Sequence, residues 1–168
     1  MNTKTRCLVI LLLFSLSACG YHLRGSSPKK TRAEVAKVFV ADKRASTVAL
    51  KVREQLSIAG AKPAKEIEKA RYVLNLERER FEQTVLSVSA ATGKVEEYQL
   101  SLSLFISLRE AGGAELVARE EIRFTKDYTF DEDAVLGTFE EEEALNKELV
   151  DLAADEIIRR LNTEAGDK

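Results

Sequence analysis

The chain has 168 residues, with 26 basic and 28 acidic side chains and a formal net charge of −2. A nucleic-acid-binding protein normally carries a basic excess or a basic face, so this balance argues against that class. The chain has only two cysteines and one histidine, which is too few for a cysteine-based metal cluster. We therefore predict that the protein uses no metal or other diffusible cofactor.

The N-terminus has the form of an export signal. Lys4 and Arg6 precede an apolar run over residues 7–16. This run is shorter than the roughly 20 apolar residues of a membrane-spanning helix and is typical of a secretory signal peptide. Residues 16–19, Leu-Ser-Ala-Cys, resemble a bacterial lipobox, whose cysteine is lipidated before cleavage. We predict a lipoprotein signal peptide over residues 1–18; the alternative is a plain signal peptide that happens to precede a cysteine.

Lipidation of Cys19 would anchor the mature chain to a membrane. Diacylglycerol and an N-linked acyl chain together give stable anchoring, whereas one chain gives only reversible binding. Gly20 follows the cysteine, where an aspartate favours retention at the inner membrane of enteric-type bacteria, so we expect the outer membrane. Cys7 would leave with the signal peptide, and no thiol would remain for a disulfide. The folded domain therefore depends on a packed core.

The first elements after the predicted tether, residues 19–35, are a short strand over 37–42 and a helix over 47–59. Apolar residues share one helical face: Val48, Ala49, Val52, Leu56 and Ala59. Ser46 is placed to cap the N-terminus of this helix, and Gly60 is placed to end it.

Three segments then alternate with the period of a β-strand, over residues 70–90, 95–113 and 115–131. In the first, Leu74 and Leu76 share a face, but the same parity continues into Arg78 and Arg80. This strand leaves the core, contains a bulge or presents its arginines to another molecule. The second is the most regular, with Tyr98, Leu100, Leu102, Leu104, Ile106 and Leu108 on one face and Phe105 as the lone apolar residue on the other.

The third strand and a final helix complete the domain. In the strand, Leu116, Ala118, Ile122, Phe124, Tyr128 and Phe130 share one face. Residues 138–141, Thr-Phe-Glu-Glu, have the form of a capping box at the start of a helix. Its apolar stripe comprises Leu145, Leu149, Leu152, Ala153, Ile157 and Leu161. We expect fraying from residue 162, a single domain over 36–163 and a disordered tail over 164–168.

The predicted order is strand, helix, three strands, helix. This order predicts an α+β two-layer sandwich in which two helices pack on one face of a mostly antiparallel, four-stranded sheet. The other face of the sheet would remain open to water or to a partner.

Three stretches resemble the LptE (RlpB) family of lipopolysaccharide-assembly lipoproteins. They are residues 19–25 (CGYHLRG), residues 97–100 (EYQL), and residues 134–136 (AVL) followed by a helix ending in IIRRL. The resemblance implies the same two-layer fold and a non-catalytic role. It implies a plug inside the outer-membrane β-barrel LptD, assistance in assembling that barrel, delivery of lipopolysaccharide (LPS) to the outer leaflet, and direct LPS binding.

An LPS-binding surface needs lysine or arginine, because LPS carries phosphates and acidic sugars. The candidates are Arg78, Arg80, Lys94, Arg119, Arg123 and Lys126. The alternative for each is a solvated charge in a surface ion pair. Family members can carry a basic residue in the turn before EYQ and another before the final helix. This chain has residues 91–93 (ATG) and 137–138 (GT) there, and Lys94 is a substitute only for the first.

Four residues are candidate partner contacts: Tyr21, His22, Phe81 and Phe105. His22, the only histidine, has no nucleophile and orienting acid beside it in sequence, so we predict no enzymatic activity. Two other classes remain. A stand-alone lipid-binding or chaperone lipoprotein needs an apolar pocket. A periplasmic hydrolase would lack a histidine-based triad, a glycine-rich phosphate loop and a metal cluster.

Overall fold

A computed structural model of the protein describes residues 37–42, 46–131 and 135–165. The predicted signal peptide, Cys19, Tyr21 and His22 lie outside these residues. The elements are β1 (Val38–Asp42), α1 (Thr47–Ile58), β2 (Tyr72–Val88), β3 (Val95–Glu110), β4 (Glu115–Thr129) and α2 (Val135–Glu164), with a short 3-10 helix at Ile67–Lys69.

The four strands form one sheet in the order β1-β2-β3-β4. β1 runs parallel to β2, and the other neighbours are antiparallel. The crossover from β1 to β2 passes through α1, and both helices join the core on one face of the sheet. The predicted α+β sandwich is therefore confirmed, including its element order.

The core lies between the helices and the inward face of β3, the face covered by both helices. The alternation predicted for β3 is confirmed, because Leu100, Leu102, Leu104, Ile106 and Leu108 are all buried. α1 contributes Val48, Val52 and Leu56, and α2 contributes Leu149, Ile157 and Leu161. Burying each large aliphatic side chain contributes about 1.5–3 kcal/mol before conformational entropy is subtracted.

The predicted caps of α1 are both present. The Ser46 Oγ accepts a hydrogen bond from the Ala49 N–H at 3.1 Å. At the other end, Gly60 has a positive φ of 83°. The Gly60 N–H donates to the Ser57 carbonyl at 3.0 Å, and the Ala61 N–H donates to the Leu56 carbonyl at 2.9 Å. This pair of bonds is the Schellman arrangement, which satisfies carbonyls that the helix leaves unpaired.

α2 differs from the prediction at both ends. It begins at Val135, so Thr138 lies inside the first turns and the predicted capping box is wrong. The Thr138 Oγ1 instead donates to the Asp131 carbonyl at 3.5 Å. The helix continues to Glu164, and Ala165 is buried. The Tyr72 hydroxyl donates to the Ala165 carbonyl at 3.4 Å, so the predicted fraying does not occur over residues 162–165.

The apolar stripe of α2 is broader than predicted. Leu149, Ala153, Ile157 and Leu161 are buried as expected, but Leu152 is exposed. Val150, Ala154 and Ile158 are buried instead. The helix contacts both α1 and the sheet, and two neighbours require a wider buried face than one.

The C-terminal half of α2 carries a charge cluster that predicts a pH dependence. Glu156 accepts hydrogen bonds from the Arg159 Nε at 2.8 Å and the Arg160 Nε at 2.7 Å. These bonds, from Arg159 first, hold the pKa of Glu156 below its usual value despite partial burial. Arg160 also pairs with Glu120 of β4. The cluster thus connects the helix to the edge of the sheet.

Replacing Glu156 with glutamine is expected to lower the free energy of unfolding at pH 7 by up to about 1 kcal/mol. Because the folded pKa is depressed, this stability is present above the unfolded pKa of about 4.3 and is lost as the pH falls through the folded value. Urea unfolding of both proteins at pH 7 and pH 3 measures the effect. The exposed neighbour Asp155→Asn is the control, and a difference that does not shrink between pH 7 and pH 3 would contradict the linkage.

Candidate functional site

The irregularity predicted in β2 is a bulge at Arg78. Glu77 pairs with Phe105 and Arg80 pairs with Ser103, so β2 has one more residue than β3 between these pairs. Arg78 has a φ of 55°, in the left-handed region that favours glycine. A non-glycine residue there costs about 1–2 kcal/mol and indicates that the surrounding structure imposes the conformation. Of the three possibilities left open by the sequence, the structure therefore contains the bulge.

The bulge inverts the parity of β2. Before it, Leu74 and Leu76 face the helices. After it, Arg80 points to the outer face of the sheet, the face opposite the helices. Phe81 pairs with the buried Leu102 and lies on the helix side. An unbroken alternation from Leu74 and Leu76 would place Phe81 on the outer face, but the bulge turns it to the helix side, where its ring remains exposed.

Phe105 is the centre of an aromatic and basic cluster on the outer face. The Arg119 Cζ lies 3.7 Å from the centre of its ring, and the Arg78 Cζ lies 6.0 Å from it. Both distances fall within the range of cation–π attraction. The Arg119 Nε is also 3.3 Å from the Glu77 Oε2. Two of the predicted LPS-binding arginines therefore contact the predicted partner residue Phe105.

The remaining outer-face arginines share one carboxylate. The Arg80 Nη2 lies 2.8 Å from the Glu82 Oε1, and the Arg123 Nη1 lies 3.6 Å from the Glu82 Oε2. Arg123 also approaches Glu121 at 3.6 Å. These groups are partly exposed, so water and salt screen the pairs. A phosphate could therefore replace Glu82 as the partner of Arg80 and Arg123 with only a small loss of interaction energy.

The two candidate lysines lie elsewhere. Lys94 is exposed in the turn between β2 and β3. The Lys126 Nζ lies on the helix side of β4, 2.6 Å from the Glu148 Oε1 of α2. The six candidates therefore do not form one cluster. Four arginines occupy the outer face, one lysine lies at a hairpin turn and one connects a strand to a helix.

A groove of about 550 Å³ lies between the two helices on the other side of the sheet. Leu50, Phe81 and Val150 form its apolar part. At its rim, the Lys51 Nζ lies 2.9 Å from the Asp151 Oδ1, and this partner raises the pKa of Lys51. Phe81 reaches this groove because the bulge at Arg78 turns it to the helix side.

Glu79 has a stabilising role, as a cap of α1, that the sequence did not indicate. The bulge turns it toward the helices, where its two carboxylate oxygens accept hydrogen bonds from the Thr47 and Val48 N–H groups, each at 3.0 Å. These donors lack partners within α1, and a carboxylate at a helix N-terminus also stabilises the helix dipole. Only the tertiary contact between β2 and α1 reveals this role.

Replacing Glu79 with alanine is expected to lower the free energy of unfolding by about 1–2 kcal/mol, because two donors lose their acceptor. Urea unfolding followed by circular dichroism measures the change. Glu96→Ala, an exposed glutamate on the neighbouring strand, is the matched control. Equal losses in the two variants would mean that the cap is unimportant.

The far end of the sheet carries a cluster of three aromatic rings that the sequence did not predict as a cluster. Tyr98 stacks on Tyr128 with ring centres 5.7 Å apart, and it meets Phe130 edge to face at 5.5 Å. All three share the parity of the buried residues of their strands, which was the available signal. Their clustering depends on the pairing of β3 with β4.

The described residues show neither a metal-binding cluster nor a membrane-spanning helix. Across residues 37–42, 46–131 and 135–165, no group of three or more histidine, cysteine, aspartate or glutamate side chains is placed to hold a metal ion. Among the same residues, no helix is both long and apolar enough to span a bilayer.

Comparison with known proteins gives a consistent family assignment. The solution NMR structure of lipoprotein B from Nitrosomonas europaea is 27% identical, with a TM-score of 0.68 over 88% of this chain and 94% of that chain. The crystal structure of rare lipoprotein B from Shewanella oneidensis is 26% identical, with a TM-score of 0.63 over 76% of this chain and 92% of that chain. A minor lipoprotein from Acinetobacter baumannii shares the fold at 17% identity, with a TM-score of 0.58 over 75% of this chain and 88% of that chain.

No curated protein sequence gives a significant match. The sequence profile described as LptE, lipopolysaccharide-assembly, matches residues 35–161, which is most of the chain and nearly all of the folded domain. This match agrees with the resemblance seen in the sequence and with the similarity to the lipoproteins from Nitrosomonas europaea and Shewanella oneidensis. The chain therefore belongs to the LptE family of lipopolysaccharide-assembly proteins.

Proposed function

We propose that this protein is an outer-membrane lipoprotein that partners and plugs an LptD-type β-barrel. In this role it assists assembly of the barrel and insertion of LPS into the outer leaflet, and it binds LPS directly. The observation that carries the proposal is the family match over residues 35–161. The fold supports it, because the helices cover one face of the sheet and leave the other face for a partner or ligand.

The anchor and the absence of catalysis belong to the same proposal. Lipidation of Cys19 would hold the domain at the outer membrane, on its periplasmic side or within the barrel lumen. The covalent lipid is then the only attached group, and no diffusible cofactor is needed. The protein acts by binding and positioning, without making or breaking bonds in LPS.

The outer-face arginines are the groups best suited to LPS. Arginine offers planar, paired donors that match a phosphate. Arg80 and Arg123 converge on Glu82, so a phosphate binding there would replace one anion by another between the same two cations. Lys94 and Lys126 would contribute from other surfaces and are secondary candidates.

The proposed partner contacts lie on two different surfaces. Phe105 is held between arginines on the outer face, whereas Phe81 lines the groove between the helices. Tyr21 and His22 would add contacts close to the lipid anchor. A partner that surrounds the domain reaches both faces at once, which is the geometry expected of a plug.

The groove keeps one alternative open, a stand-alone lipid-binding or chaperone lipoprotein. Its volume of about 550 Å³ is within the range of ligand pockets, and Leu50, Phe81 and Val150 would contact an acyl chain. This role requires no barrel partner.

Affinity purification of the tagged, full-length protein from detergent-solubilised outer membranes tests the proposal. We expect one large β-barrel to co-purify at close to one copy per lipoprotein. Lys65→Ser, at an exposed position in the loop after α1 and away from both surfaces, is the control and is expected to retain the barrel. Recovery of the lipoprotein alone, in detergents that keep barrels folded, would refute the plug and favour the carrier.

A further inference from the structure

A small pocket lies between the far end of the sheet and the N-terminal half of α2. Its volume is about 190 Å³. Four aromatic side chains line it: Tyr98, Tyr128, Phe130 and Phe139. The first three pack against one another, whereas Phe139 is 63% exposed at the mouth. The pocket is on the helix side of the sheet and is separate from the outer-face arginines.

The polar lining of the pocket is neutral or negative. Gln83, Thr138 and Glu142 line it, and none of the described lining residues is a lysine or an arginine. The Gln83 Nε2 donates to the Tyr128 hydroxyl at 2.5 Å, and Glu142 lines the same pocket as this hydroxyl. Burial, first, and the nearby Glu142 charge raise the pKa of Tyr128, so the phenol stays neutral at neutral pH. Among the described residues that line the pocket, Glu142 is the only one with a formal charge.

Glu142 has no cation of its own within the described part of the chain. Two acids further along α2 do have one: Glu143 pairs with Lys147 at 2.7 Å and Glu148 pairs with Lys126 at 2.6 Å. A carboxylate has about four lone-pair positions, so Glu142 has acceptor capacity for a ligand in the pocket. Aromatic faces beside an uncompensated carboxylate attract an organic cation.

We propose that this pocket binds a single arginine or lysine side chain of a protein partner. The rings would contact the alkyl stem and the face of the cationic group, and Glu142 would accept its hydrogen bonds. The volume is below the roughly 300–1,000 Å³ of typical small-molecule pockets, which suits one side chain. Phosphate and other anions are disfavoured, because they would meet Glu142 and no basic residue. The proposal stands whether or not the partner is an LptD-type barrel.

Nuclear magnetic resonance titration of the full chain in detergent micelles tests the proposal. The probes are N-acetyl-arginine amide, N-acetyl-lysine amide, the neutral isostere N-acetyl-citrulline amide and methyl glucoside. We expect the two cations to produce saturable shifts in the Tyr98 and Tyr128 ring signals and in the Gln83 side-chain amide. Citrulline is expected to bind about three- to tenfold more weakly, because it lacks the charge.

Two glutamate variants separate the contribution of the Glu142 charge to binding from the contribution of the shape of the pocket. Glu142→Gln is expected to remove the preference for arginine over citrulline, whereas Glu141→Gln on the same helix retains it. The spectra report directly whether each variant is folded. Equal binding of arginine and citrulline by the unmodified chain would overturn the proposal. Saturable binding of glucoside alone, or no saturable shift up to the solubility limit of the cations, would also overturn it.

Discussion

Replacing Leu102 with alanine is expected to lower the free energy of unfolding by about 2.5–5 kcal/mol, the largest loss predicted for a single side chain of this protein. Leu102 is fully buried on the central strand β3, between Phe81 of β2 and Phe124 of β4. Strands bound on both sides cannot easily close the cavity. At about 2–4 °C per kcal/mol, the melting temperature would fall by roughly 10 °C.

Thermal and urea unfolding of the Leu102→Ala variant provide the measurement. Leu50→Ala is the matched control, because Leu50 is 57% exposed on α1 and should cost less than about 1 kcal/mol. Similar losses in the two variants would mean that the core does not lie beneath β3.

Reversing the charges of Arg80 and Arg123 together is expected to reduce LPS affinity by tenfold or more. The double variant Arg80→Glu/Arg123→Glu would place two new carboxylates beside Glu82 and Glu121, where the two arginines now balance them. Phosphate groups would then meet only negative charge on this part of the face. Stability should change less, because exposed ion pairs contribute little.

Binding of purified full-length protein to LPS at fixed ionic strength measures this effect. Lys62→Glu/Lys65→Glu, in the loop after α1, makes the same change in net charge away from the sheet. If both variants lose affinity equally, net charge is responsible and the outer face is not. Unchanged binding in the arginine variant would exclude this face as the LPS site.

The elements with an uninterrupted pattern were predictable from the sequence. Apolar and polar residues alternate over residues 98–108 of β3 with Phe105 as the single exception. The residues that cap α1, Ser46 and Gly60, are recognisable in the sequence. The start of α2 was not predictable, because Thr138 matches a capping box although the helix begins at Val135. A local motif of that kind competes with tertiary contacts, here the hydrogen bond from Thr138 to Asp131.

The candidate site was predictable as a set of residues but not as an arrangement. Parity placed Arg119 and Arg123 opposite the apolar face of the third strand, and both lie on the outer face of the sheet. It failed for Phe81 because one bulged residue upstream exchanges the two faces. It also failed for Ala118, which is exposed because the register shifts between β3 and β4 and brings Val117 opposite Leu108. The pairing of each arginine with a glutamate depends on strand register, which a single sequence does not contain.

The shortness of β1 has a consequence for the isolated protein. β1 covers only Tyr72–Leu76 of β2, and within the described residues no other strand pairs with that side of β2. The far half of β2 also exposes Val85, Leu86 and Val88. A long, partly apolar strand edge is a template for joining another chain. Overproduction of this protein without a partner that covers the β2 edge is therefore expected to favour aggregation. The tolerated expression level would then depend on how much of β2 is left unpaired.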